Sequence, residues 1–177
     1  MRKFLLGLVL MLTVVGCESN MDNTPTKKVE AFLNNYQMLD ESVLDDLDSS
    51  IENIDNLNDE QREKYEDIIK SSYQKLNYVI KDETIDGDYA TVTVQVEVIN
   101  HAKVLDETNS YLEDNKDDFL VDGIYDESLF MDYKLNQLKD NKEMIEYTMD
   151  FTLTKVDGEW MLDEITDEIR NKINGRY

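Results

Sequence analysis

The chain of 177 residues has one cysteine, one proline, one histidine and six glycines. A lone cysteine forms no disulfide within its own chain, which excludes the small secreted domains stapled by cystine pairs. A lone histidine rules out a zinc site built on several imidazoles and leaves no second imidazole to share acid–base work. No Gly-x-Ser-x-Gly elbow, P-loop or dinucleotide fingerprint is present. Basic residues are scarce too, 18 against 40 acidic, for a formal charge of −22. Such a body repels polyanions, so neither nucleic acid nor anionic lipid headgroups are expected as partners. The apolar stretch from Phe4 to Val15 has 12 residues, short of the roughly 20 that cross a bilayer.

That stretch follows Arg2 and Lys3 and runs into Val14-Val15-Gly16-Cys17. The basic residues hold the amino terminus on the cytoplasmic side while the apolar stretch enters the bilayer. Gly16 is small enough to admit a peptidase, and the Cys17 thiol can accept a diacylglycerol. The quartet resembles the lipobox of bacterial lipoproteins: two aliphatic residues, a small residue, then cysteine. An ordinary secretory signal would end in an Ala-x-Ala-like site, which is missing. The resemblance implies a signal peptide over 1–16, cleavage between Gly16 and Cys17, a lipidated Cys17 with a polar tether over 17–24, and one domain over 25–177. It places the protein on the extracytoplasmic face of the cell membrane, where two acyl chains hold firmly and one would not. Cleavage leaves 161 residues with 16 basic and 40 acidic side chains, ample for a single core. Glu18 to Thr24 extends at most about 25 Å, at roughly 3.5 Å per residue, so the domain is expected close to the bilayer.

Acidic clusters such as Asp45-Asp46-Leu47-Asp48 and Asp114-Asn115-Lys116-Asp117-Asp118 lack the glycine and the downstream glutamate of a calcium loop. They read as a solvated surface, and no metal or cofactor is expected.

Along the chain, Thr24-Pro25 supplies a hydroxyl cap and a first-turn proline. Val29, Phe32, Leu33 and Tyr36 then share one helical face. Asp40 caps a second helix with Val43, Leu44, Leu47, Ile51 and Ile54 inward. Asn58 and Gln61 have capping-box spacing for a third, whose stripe is Tyr65, Ile68, Ile69, Ser72 and Leu76. The period changes to two after Asp86-Gly87-Asp88: Ala90, Val92, Val94, Val96 and Val98 alternate with polar residues, as in a strand with one buried face. Helical spacing returns near Asn100 with Val104, Leu105, Thr108, Tyr111 and Leu112. After a linker containing Asp122-Gly123, a helix is expected from Asp126 to Asn141, with Leu129, Phe130, Tyr133 and Leu138. Ile145, Tyr147, Met149, Phe151 and Leu153 form a further strand, turned at Asp157-Gly158 into Trp160-Met161-Leu162, and a short helix closes the chain. The expectation is an α+β domain: N-terminal helices packed on a curved antiparallel sheet of about four strands, with two helices inserted between the hairpins.

Gly87 to Val96 and Lys155 to Trp160, together with the lipobox and the Thr-Pro helix start, resemble small bacterial lipoproteins with a nuclear-transport-factor-2-like, or cystatin-like, domain. The segment 101–141 resembles a Firmicutes lipoprotein family with no assigned activity. The resemblance implies a cone of helices and sheet, and it carries over no catalytic residue. A pocket in such a cone would be lined by Tyr147, Met149, Phe151 and Trp160; the alternative is that these four simply fill the core. His101 falls at a strand–helix boundary and is read as structural. The expected role is a non-enzymatic binding or interaction module, with the membrane as partner through the lipid and an envelope protein or small ligand as target. Two alternatives are a ketosteroid-isomerase-like enzyme using a buried carboxylate, and an accessory subunit of a membrane complex.

Overall fold

A computed structural model describes residues 23–177; Gly16 and Cys17 lie outside the described residues. Three helices come first: α1 Pro25–Met38, α2 Glu41–Glu52 and α3 Asp59–Tyr73. Each begins where a short polar side chain can replace a missing turn of backbone acceptors. Thr24 accepts from the Lys27 amide and Asp40 from the Ser42 amide. The Asn58–Gln61 capping box closes in both directions, at 2.9 and 3.1 Å.

The hairpin of β1 (Asn77–Asp86) and β2 (Tyr89–Ile99) follows. Helix α4 (His101–Asp114) leads through a 3-10 turn (Lys116–Phe119) and the two-residue strands β3 (Leu120–Val121) and β4 (Ile124–Tyr125) to α5 (Glu127–Asp140). Then come β5 (Met144–Val156), β6 (Glu159–Leu162) and α6 (Asp167–Ile173). The main sheet is antiparallel, in the order β1-β2-β5-β6. The fold is therefore the α+β arrangement read from the sequence, with α4 and α5 inserted between the two hairpins.

Register decides which side chains enter the core. Val92 pairs with Phe151, Val94 with Met149 and Val96 with Tyr147, so two strands put their apolar sets on one face. The opposite face is polar and tied by cross-strand bonds such as Thr93 to Asp150 at 2.6 Å and Gln95 to Glu146 at 2.6 Å. Helix α1 covers the apolar face with Val29 and Leu33, both fully buried, and Phe32 meets the Phe151 ring edge-on at 5.8 Å. Edge strand β1 is mostly exposed and carries a register shift between Ile80 and Asp82. That bulge and the charges of Lys81, Asp82 and Glu83 discourage pairing with a second sheet.

One segment is more ordered than the sequence reading expected. The linker around Asp122-Gly123 is a tight hairpin, with φ of 52° at Asp122 and 77° at Gly123. Positive φ at both central residues is what an Asp-Gly turn provides. Strands of two residues are too short for any alternation to register in the sequence.

Candidate functional site

The helical insertion builds its own small core. Ile68 of α3, Val104 of α4 and Leu135 and Leu138 of α5 cluster together, with Tyr65, Leu105 and Met131 around them. These side chains leave a cavity of about 200 Å³. Ile54, Leu57, Ile69, Leu105, Met131 and Leu135 supply most of its wall, and His101, Lys134 and Arg176 supply its polar groups.

His101 is fixed by the start of α4. The Asn100 side chain caps that helix through the Lys103 amide, and the Asn100 backbone is held by Glu143 and by the Asn141 amide, both at 2.8 Å. The imidazole is 2 % exposed. Its Nε2 lies 2.9 Å from the Ser72 hydroxyl, which itself donates to the Ile68 carbonyl at 2.8 Å. Which of the two groups donates across that contact follows from the tautomer of the ring. Nδ1 has no partner among the described residues. Burial pushes the His101 pKa down from 6.5 to about 4, with the charge of Lys75 adding to the effect.

The Ser72–His101 contact has the separation of a nucleophile and its base, but not the chemistry. No carboxylate orients the imidazole through Nδ1, and a base with so low a pKa is weak near neutrality.

Lys134 and Arg176 add cations to an otherwise apolar cavity. Burial pulls both pKa values down. Arg176 remains more than a third exposed, so solvent still supports its charge. It lies 5.7 Å from the Tyr65 ring and donates to the Tyr65 hydroxyl, while Lys134 sits 4.8 Å above Phe130. Neither is within ion-pair distance of a carboxylate among the described residues.

No family model matches the chain, and no curated protein matches it significantly. A solved structure of a candidate lipoprotein, ycdA of Bacillus subtilis strain 168, is similar over 88% of this chain and 49% of its own length, at 16% identity and a TM-score of 0.39. The chain thus spans about half the length of that protein. A likeness this distant decides nothing about function.

The four residues singled out from the sequence are not gathered around the helical cavity. Met149, Phe151 and Trp160 are 3 %, 1 % and 6 % exposed and belong to the main core. Met149 and Phe151 also border a cleft between the free edge of β5 and α6. The Trp160 backbone amide donates to Asn23 at 2.9 Å, and the Tyr147 hydroxyl donates to the Tyr177 carbonyl at 2.6 Å. His101, read as structural from its place in the sequence, lies in the wall of the helical cavity. The one signal for the cavity in the sequence was Lys134, a charge set among the apolar positions Met131, Leu135 and Leu138 of one helix. Among the described residues no helix is long and apolar enough to cross a membrane, and no group of three or more His, Cys, Asp or Glu could hold a metal ion.

Proposed function

We propose that the protein is an extracytoplasmic lipoprotein, anchored through Cys17, whose domain over 25–177 is a non-enzymatic binding module for a small apolar molecule carrying one anionic group. The observation that carries the ligand reading is the apolar cavity bordered by Lys134 and Arg176, neither of them paired with a carboxylate among the described residues. Lys134 is partly buried with no carboxylate beside it, and a desolvated cation without a counter-ion is costly. A bound molecule with an apolar body and a carboxylate near Lys134 and Arg176 would supply the missing counter-ion. Size guides the choice of probe: an apolar cavity of about 150 Å³ accepts benzene, so about 200 Å³ suits a body of that order. Val14-Val15-Gly16-Cys17 supports the anchor, and helices laid on one face of a four-stranded sheet support the nuclear-transport-factor-2-like family.

Titration calorimetry on the full-length lipidated protein in phospholipid nanodiscs tests the ligand reading with benzoate and hexanoate, and with benzene as the uncharged control. One of the acids is expected to bind at a single site. Leu105→Trp, which fills the cavity, should abolish that binding, and Lys134→Gln should weaken it tenfold or more. Absence of binding by all three probes, or binding indifferent to Leu105→Trp, overturns the reading. The anchor is tested by mass spectrometry of the protein from its native host. Cys17 should be the first residue and carry a diacylglycerol, and an uncut chain with a free thiol would refute it.

A further inference from the structure

A second cleft lies between α3 and α5, with a volume of about 240 Å³. It shares only Leu138 with the apolar cavity. Its floor is apolar, from Ile68, Ile99 and Leu138, and Lys64, Lys75, Lys139 and Lys142 stand around it. We propose that this cleft binds a phosphate-bearing anion, held by those four lysines.

In a chain with 40 acidic residues to 18 basic, four lysines around one cleft concentrate positive charge. Among the described residues Lys27, Lys28, Lys70, Lys103, Arg170 and Lys172 pair with a carboxylate, and the other ten basic side chains do not. None of the four cleft lysines does, although Asp67 lines the same cleft. Lys64 reaches the Asn136 side-chain oxygen and Lys142 the Lys139 carbonyl, both neutral acceptors. The Lys75 and Lys139 ammonium groups make no hydrogen bond or ion pair among the described residues.

Attraction to helix C-termini accounts for part of this, since α3 ends at Tyr73 and α5 at Asp140 and lysines gather at such ends. It does not account for Lys64, in the first half of α3. Nor does it account for two ammonium groups that touch no terminal carbonyl. Four like charges around one cleft repel one another, and a multiply charged anion between them offsets that repulsion. Flexible lysine stems can close around a tetrahedral phosphate from several directions, and the Ser71 hydroxyl on the same wall has no partner of its own among the described residues. The phosphate can belong to a soluble ester or to the headgroup of an anionic lipid.

Equilibrium dialysis of the full-length protein in a nonionic detergent, with radiolabelled inorganic phosphate and glycerol 3-phosphate, tests this directly. Saturable one-to-one binding of at least one probe is expected. The double variant Lys75→Gln/Lys139→Gln should weaken it at least tenfold, and Lys81→Gln/Lys155→Gln, which removes the same charge elsewhere, should leave it unchanged. All four positions are exposed, so both variants keep the fold, which their thermal unfolding verifies. Repeating the measurement in nanodiscs with and without phosphatidylglycerol separates the sources, because an anionic headgroup in the cleft displaces the free phosphate. Absence of saturable binding, or equal loss in both double variants, overturns the proposal.

Discussion

Gly175→Ala is expected to destabilise the domain by about 3–5 kcal/mol, the sum of an overpacking term, a left-handed backbone term and a strained hydrogen bond. Gly175 has φ of +61°, and a methyl group added there would lie 1.9 Å from the Ile99 carbonyl oxygen. Neither side can yield cheaply. Ile99 is the last residue of β2 and is buried, and the Gly175 carbonyl accepts from the Ala102 amide at 2.7 Å in the first turn of α4. The glycine therefore seats the C-terminal segment on the β2–α4 junction, with the Tyr73 hydroxyl bonded to Asn174 at 2.8 Å alongside. For a domain of this size the loss lowers the melting temperature by roughly 10 °C. Gly123→Ala is the control: φ there is +77° with no atom within 4 Å, so only the backbone term of about 1 kcal/mol applies. Chemical denaturation of both variants separates collision from strain, and equal costs would show that the C-terminal segment does not sit against Ile99. The same substitution displaces the neighbouring Arg176 and with it one wall of the cavity.

Between pH 6.5 and 4 the protein loses roughly 3 kcal/mol of stability through His101 alone, at about 1.4 kcal/mol per pH unit. The sign follows from which state binds the proton first. In the unfolded chain the imidazole takes up a proton near its ordinary 6.5, whereas burial and Lys75 hold the folded pKa at about 4. Over that window the unfolded state carries the extra proton, so acid favours unfolding; above pH 6.5 both states are neutral and the contribution is flat. Carboxylates titrate over an overlapping range, and the comparison with His101→Gln removes their share because they are common to both proteins. Denaturant unfolding from pH 4 to 7 should show the wild type falling more steeply than the variant. Parallel curves would mean that the ring is already solvated or charged in the fold.

Much of the architecture was legible because it rests on short-range chemistry. Alternation along 90–98 and 145–153 marked the two central strands, and their pairing follows once each must hide one face. Caps at Thr24, Asp40 and Asn58 marked helix starts, since a short side chain reaches only the amides two or three residues on. The 3-10 turn and β3–β4 hairpin escaped because two-residue strands have no period to read, although Asp122-Gly123 was their signature.

The candidate sites were less legible, and the reason is physical. Alternation says that Met149 and Phe151 point inward, but not whether α1 closes over them, and Phe32 and Leu33 do. His101 stands next to a strand in sequence, yet its environment is made by Ser72 of α3 and Leu138 of α5, two other stretches of chain. The four cleft lysines are spread over 64–142, and nothing local to any of them predicts the others.

From its order of residues alone, the chain determined its strands, helices and turns and a lipobox-like quartet ending at Cys17, because periodicity, capping and local motifs act over a few neighbours. Tertiary structure alone decided which polar groups lost their water and which charges were left facing one another, because desolvation and charge proximity depend on distances that sequence separation does not encode.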